Sequence, residues 1–410
     1  MVKNKKTQLL LLMMLICFPQ LSETIYSPSL PDLASDYSIS SNIAQWTLSI
    51  YFIGFAVGVA FWGLYSDLIG RRKAIARGYL VYLIGCVGCF LSPTIGSLLL
   101  FRVIQAFGIS IGSVVVQSIL REVFKGKELN SIFSLINIFM AVSPALGPFL
   151  GGYLTEWFGW RSNFLALIFL ISSLYALIYI FIEETNTNIG RKAGFSDLTS
   201  VFFSMFKNAR PRMFAVLVGL FNGIMFSYYS HAPFIFIHHF NLTPSEYGKL
   251  GIFPAIGVII GSLLSKKLRQ KSKEIQVLKT GCYGALLAII LLNVNTLILI
   301  PKFENSIMRS FFILFPISSF FVFFSIAMPQ LLSGALQEYG SWIGTASSIF
   351  GLTYYVFTSI FNFMMGYFDN GKIITMPLYF LFLSLLIVIS FTLLERSESF
   401  KKQKLKTNMH

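Results

Sequence analysis

The sequence predicts an all-α membrane protein, with twelve transmembrane helices arranged as two pseudo-symmetric six-helix bundles. Three observations carry that prediction. Of 410 residues, 55% are hydrophobic and only 12% are charged, and the mean hydropathy is +0.71. A soluble domain carries about 25% charged residues, so this chain has too little polar surface to wet a globule. Its apolar residues gather into twelve runs, each near the ~20 residues that a spanning helix needs. Lysine and arginine fall almost entirely in alternate gaps between those runs.

The runs, called spans one to twelve below, cover roughly 8–30, 44–65, 77–92, 96–118, 131–154, 163–182, 213–237, 247–265, 276–300, 309–332, 343–366 and 375–394. Span one follows the basic start Lys3-Asn-Lys-Lys6 and so has the outline of a signal peptide. No small-x-small cleavage site comes after it, and a retained helix is expected. Pro19, Pro28 and Pro31 within it predict a bend. Span two ends in Gly63-Leu-Tyr-Ser-Asp67-Leu-Ile-Gly70-Arg71-Arg72-Lys73. Span three holds Cys86 and Cys89, which have the spacing of a redox or zinc pair. With no companion histidine or second cysteine pair, they read as small packing residues. Span four contains Arg102, and span five contains Gly147-Pro148-Phe-Leu-Gly151-Gly152. The widest polar gap, 183–212, separates spans six and seven. The division is therefore a first bundle at 1–182, a central loop at 183–212, a second bundle at 213–394 and a basic tail at 395–410.

Net charge is +15. That value would suit a nucleic-acid binder, but 26 of the 32 lysines and arginines lie in the gaps on the N-terminal side of the spans or in the tail. A positive-inside bias of this kind explains the charge, places both termini in the cytoplasm and requires an even number of spans. The tail, Lys401-Lys-Gln-Lys-Leu-Lys406, is expected to lie against anionic lipid headgroups.

The halves look like a degenerate repeat. Gly261-Ser-Leu-Leu-Ser-Lys266-Lys267-Leu-Arg269 after span eight matches the end of span two, and Gly344 and Gly351 in span eleven match the glycines of span five. Two such halves suggest a carrier whose site lies between them. Glu23 is the one acid placed well inside a span, and Arg102 the one base. An ionised side chain at mid-bilayer costs about 2.5–3.5 kcal/mol on insertion scales, and such groups mark ion or proton pathways. Glu23 lies nine residues before Asp32, and Arg102 nine after Pro93. At about 1.5 Å per residue both sit roughly 13 Å in from the same face. The pair reads either as a proton or cation site or as a fixed salt bridge pinning two helices. Asp67, Gly70, Arg71 and Arg72 read as a gate that opens when the halves rock, or as plain anchoring charge. Gly147, Pro148, Gly151 and Gly152 permit close helix approach. Tyr26, Gln105, Asn137, Asn222, Tyr228, His231 and Tyr354 are the candidate substrate contacts. His231 could titrate near neutral pH or serve as a hydrogen-bonded helix contact.

At these residues the sequence resembles the major facilitator superfamily. Gly63 to Lys73 is similar to the family's signature between spans two and three. Arg102-Val-Ile-Gln105-Ala-Phe-Gly108 resembles its span-four motif, and Gly147 to Gly152 its antiporter motif. Thr24-Ile-Tyr26-Ser-Pro28 and Phe158-Gly-Trp160-Arg161 resemble the Bcr/CflA drug-resistance subfamily, close to EmrD-type multidrug exporters. Leu68 stands where the loop motif has arginine, and Ala106 where the second motif has glycine. The resemblance implies a proton-coupled exporter of drugs or other amphipathic small molecules, working by alternating access in a bacterial inner membrane. It also implies that spans one and four pack together, which brings Glu23 and Arg102 into reach. The expected partners are a small-molecule substrate, protons and the lipid bilayer, for a monomer without nucleic acid, metal or cofactor. No nucleophile constellation or phosphate-cradling loop marks an enzyme. A dedicated carrier of one metabolite, such as a siderophore or amino-acid derivative, and a membrane sensor or channel stay open as alternatives.

Overall fold

The computed structural model describes residues 5–186, 189–190, 203–336, 339 and 343–407. Several side chains in 127–144, Asn137 among them, those of 343–345, where Gly344 falls, and those after 397 lie outside the described residues. Residues 187–188 and 191–202 of the 183–212 loop expected between the halves also fall outside them.

Among the described residues, twelve helical rods form two bundles of six. Span one runs Lys5–Thr24, then continues as a short turn at Ser27–Ser29 and a helix at Leu30–Asp36. The rods that follow are Ser41–Ile69 (two), Arg71–Leu91 (three), Ile95–Ile109 with Ile111–Val123 (four), Gly126–Phe158 (five) and Arg161–Phe181 (six). The second bundle has Ala209–Pro233 with Phe234–His239 (seven), Pro244–Leu250 with Ile252–Lys271 (eight) and Glu274–Val294 extended to Lys302 (nine). Ser306–Gly334 (ten), Ile343–Phe368 (eleven) and Thr375–Thr407 (twelve) complete it. Among the described residues, eleven segments are long and apolar enough to cross a bilayer. Span five, a 33-residue helix with partly described side chains, is the twelfth rod.

The last helix runs on through the basic stretch to Thr407. Glu395 at the start of that extension pairs with Lys279 at 3.6 Å, at the foot of span nine.

The break in span one has a local cause. Pro19 lies inside the helix without ending it. Pro28 and Pro31 instead occupy first-turn positions of the two short helices that follow, where the missing N–H costs nothing and the fixed φ suits a helix start. The chain therefore stops at Thr24 and restarts at Ser27, directly after Glu23. Span five seats this break. A side chain at Gly147 would run into the Thr24 hydroxyl, and one at Gly151 into the Ile25 carbonyl, so only glycine lets the two backbones meet.

The halves meet along two seams, spans two with eleven and spans five with eight. The second seam is close-packed backbone. A Cβ on Gly152 would strike the Pro244 carbonyl, and one on Gly248 the Pro148 carbonyl. Most arginines and lysines gather at one end of the bundle, called here the charge-rich end. The other end is charge-poor.

Candidate functional site

Glu23 ends up buried, 3% exposed, at the last turn of the first helix. Its neighbours on either side are occupied elsewhere. The Ser22 hydroxyl lies 2.8 Å from the Tyr82 hydroxyl, and Thr24 donates to the Gln20 carbonyl at 2.9 Å. The Glu23 carboxylate has no hydrogen-bond partner among the described residues. Arg102, Tyr51, Tyr354 and Tyr355 lie within its electrostatic reach.

Arg102 is fully buried and is not ion-paired with Glu23, so the fixed salt bridge considered from sequence is not formed. Equal depth was necessary for that pair but not sufficient, because a better-defined cradle takes the guanidinium. Its carbon lies 4.3 Å from the centre of the Tyr26 ring and 4.2 Å from that of Tyr51. Nη1 donates to Gln105 Oε1 at 2.6 Å, Nε approaches the Thr47 carbonyl at 3.5 Å, and Nη2 has no hydrogen-bond partner among the described residues. Cation–π contacts are worth about 2 kcal/mol or more when desolvated, which compensates for the missing carboxylate. Arg102 thus supplies positive potential to the centre without neutralising Glu23.

Two residues expected to contact substrate belong to this cradle. Tyr26 stacks on Arg102 and hydrogen-bonds Thr47. Gln105 holds Arg102 through its oxygen and approaches Cys86 Sγ at 3.1 Å through its nitrogen. Tyr354 is partly exposed beside Tyr355, ring centres 4.4 Å apart. Asn222 and Tyr228 are buried on span seven, Tyr228 against Tyr229 and Phe321. The Asn137 side chain lies outside the described residues.

Next to Glu23 an aromatic platform bridges the halves. Phe52 of span two meets Phe226 of span seven with ring centres 4.2 Å apart, and Phe55 meets Tyr355 of span eleven at 4.6 Å. Tyr51 adjoins both Phe52 and Phe55. Tyr355 and Phe226 were not singled out from sequence, since in a chain with 43 phenylalanines and 18 tyrosines nothing distinguishes a cavity ring from a lipid-facing one.

The Asp67–Arg72 cluster lies at the charge-rich end. Arg71 pairs with Asp67 at 2.7 Å and Glu122 at 3.0 Å. Gly70 turns the chain at φ +96°, and the backbone N–H groups of Arg71 and Arg72 then donate to the Glu184 carboxylate at 2.8 and 3.2 Å. Arg72 also donates to the Tyr179 carbonyl at 2.8 Å. Those partners all belong to the first half, tying the starts and ends of spans two, three, four and six. The described geometry is that of an intra-bundle brace.

His231 faces an acid that sequence reading left in a loop. Its Nδ1 is 3.5 Å from Asp369 Oδ2, and both side chains are almost fully buried. Asp369 lies one residue beyond the end of span eleven, so its position in the chain gives no hint of burial. Span two of the opposite half covers it. Ser41 donates to Oδ2 at 2.9 Å, Gln45 Nε2 to the same oxygen at 2.7 Å, and Asn42 to the Asp369 carbonyl at 2.9 Å.

Known proteins can be set beside this geometry. The family model described as Major Facilitator Superfamily matches residues 12–361. The chain belongs to that superfamily. An uncharacterized transporter of Rickettsia bellii is 32% identical over 90% of the chain and 93% of its own length. Multidrug resistance protein D of Escherichia coli is 24% identical, covering 84% of each chain. Among solved structures, a D-xylose-proton symporter superposes with a TM-score of 0.75 at 14% identity, over 93% of this chain and 96% of the other. At that identity the match speaks for the fold alone, two six-helix bundles.

Proposed function

We propose that the protein is a proton-coupled secondary transporter that exports amphipathic small molecules by alternating access. The observation that carries this reading is Glu23. It is a carboxylate buried where the two bundles meet, without a hydrogen-bond partner, beside a held guanidinium and an aromatic platform drawn from both halves. A carboxylate so placed is costly to leave ionised, and it can be satisfied in either of two ways. A proton neutralises it, or a polar or cationic group of a substrate resting on the rings pairs with it. Exclusive occupancy by proton or substrate couples their movements in opposite directions. Each charge moved across the membrane is worth about 2.3 kcal/mol per 100 mV, which suffices to drive modest accumulation.

The distribution of lysine and arginine supports a cytoplasmic charge-rich end and insertion in a bacterial inner membrane. The resistance activity named for the Escherichia coli relative supports a drug-like substrate. The aromatic platform favours a broad greasy class over one fixed metabolite, which would call for several fixed polar anchors.

Uptake into inverted vesicles with an imposed pH gradient tests the reading. Transport of a lipophilic probe that collapses with an uncoupler, and that Glu23→Gln abolishes, is the expected result. pH-driven uptake that survives Glu23→Gln would remove the proton assignment.

A further inference from the structure

At the charge-poor end, each half reaches across the seam with one carboxylate. Asp369, just past the end of span eleven, receives Ser41 and Gln45 from the start of span two. Glu156, near the end of span five, receives the Ser245 N–H at 3.0 Å at the start of span eight. Spans five and eleven occupy equivalent places in the two bundles, as do two and eight. The contacts are therefore one device made twice, an acid at the end of the fifth helix of one half held by hydroxyl and amide donors at the start of the second helix of the other. Ser27, in the break after Glu23, lies between them, donating to the Tyr229 carbonyl and standing 3.4 Å from the Tyr247 hydroxyl of the opposite half.

We propose that Asp369 and Glu156 are reciprocal clasps that hold the charge-poor mouth shut and set the equilibrium between its closed and open forms. This rests on the alternating-access reading. The clasps are unequal. The Asp369 side chain is 1% exposed, with Gln45 and His231 buried beside it and Ser41 partly buried, whereas Glu156 is exposed and screened by water, so the Asp369 clasp is the stronger. The donors explain why acid, and not amide, is needed. Asp369 Oδ2 accepts from both Ser41 and Gln45 while facing His231, and Oδ1 accepts the Gly371 N–H at 2.9 Å. An asparagine in its place would turn one acceptor oxygen into a donor pointed at other donors.

Opening parts both carboxylates from their donors and brings the buried Asp369 into water. In the closed form, burial by itself would raise the Asp369 carboxyl, but His231, the Gly371 N–H and the Ser41 hydroxyl outweigh it and hold it well below the ordinary carboxylate range. The Ser245 hydroxyl and N–H likewise lower Glu156. A group depressed in the closed form favours closure above its ordinary value, and that contribution is lost as pH falls through the depressed one. The clasps thus stay fully engaged at neutral pH. The titratable groups facing Asp369 are His231 and, further out, His239, both on span seven; Lys249 faces Glu156. Span two contributes only neutral donors to Asp369.

The test uses full-length protein in lipid nanodiscs, with spin labels at Ser35 and Glu304, exposed positions on opposite halves at this end. Asp369→Asn should raise the open-to-closed ratio by about tenfold or more, the scale of losing hydrogen bonds to a charged group, and Glu156→Gln by a few-fold. Asp36→Asn, which breaks a contact with Trp160 and Arg161 inside the first half, should leave the ratio unchanged. Should Asp369→Asn fold poorly, Ser41→Ala keeps the carboxylate and should shift the ratio the same way by less. Two mouth widths whose ratio none of Asp369→Asn, Glu156→Gln and Ser41→Ala alters would overturn the clasps and leave alternating access standing. A single width in every variant, with substrate and at every pH, would overturn alternating access itself.

Discussion

Two buried carboxylates, about equally hidden, are treated in opposite ways by their surroundings. Asp369 is surrounded by donors from its own half and from the other half, and every oxygen is used. Glu23 is surrounded by aromatic rings and by a guanidinium whose best donor is already committed to Gln105. A satisfied buried acid stabilises one arrangement of the helices. An unsatisfied one is an open demand that a proton or ligand can meet. On the proposed reading, the difference separates the part of the molecule that holds a conformation from the part that responds to what is bound.

The sharpest way to break the comparison is to neutralise each acid in turn. Glu23→Gln should lower pH-driven transport at least about tenfold, a loss of about 1.4 kcal/mol or more from the driven step, while the mouth still closes. If Glu23→Gln instead shifted the mouth as Asp369→Asn does, the two acids would not have separate roles.

Acid conditions give the next largest contrast. Since Asp369 and Glu156 are held below the ordinary carboxylate range, acidification from about pH 8 to about pH 5 leaves both ionised in the closed form. Transport should vary across that window while the spin-label distance of substrate-free protein stays at its closed value. Opening of the mouth at pH 5 would assign the proton response to the gate.

Gly151→Ala tests how firmly Glu23 is positioned. The new methyl would push against the Ile25 carbonyl, and overpacking of this kind costs about 1–3 kcal/mol. Thermal unfolding in detergent should shift downward, with transport falling further than stability alone accounts for, because the Glu23 backbone moves with the break.

Arg102→Lys keeps the charge and loses the planar stack between Tyr26 and Tyr51. A loss of up to about 2 kcal/mol is expected, read as a lower melting temperature with partial transport. The smallest effect should come from Arg71→Ala. Its ion pairs to Asp67 and Glu122 have partly exposed partners, and exposed pairs contribute about 0.2–1 kcal/mol each. A collapse of transport in that variant without loss of fold would show that the brace has a gating role.

The central residues were only partly legible beforehand. Glu23 and Arg102 stand out in any reading, since an ionisable group in an apolar run has no cheap explanation. That they would not pair was hidden, because the cradle of Tyr26, Tyr51, Thr47 and Gln105 draws on three different spans. Asp369 was missed for the converse reason. It follows span eleven directly and looks like a loop acid, and its burial is created by Ser41, Asn42 and Gln45, more than 320 positions earlier in the chain. Glu156 was missed likewise, its donor lying on the other bundle.

The sequence by itself determined the number of spans, their division into halves and that span one bends. These follow from bilayer thickness, from the cost of moving charge through hydrocarbon and from the fixed φ of proline, all of which act on short stretches of chain. Tertiary structure alone decided which charges are satisfied. Hydrogen bonds and ring contacts act over a few ångströms between side chains far apart in sequence, so whether a carboxylate is held or left waiting depends on which helix of the opposite half arrives beside it.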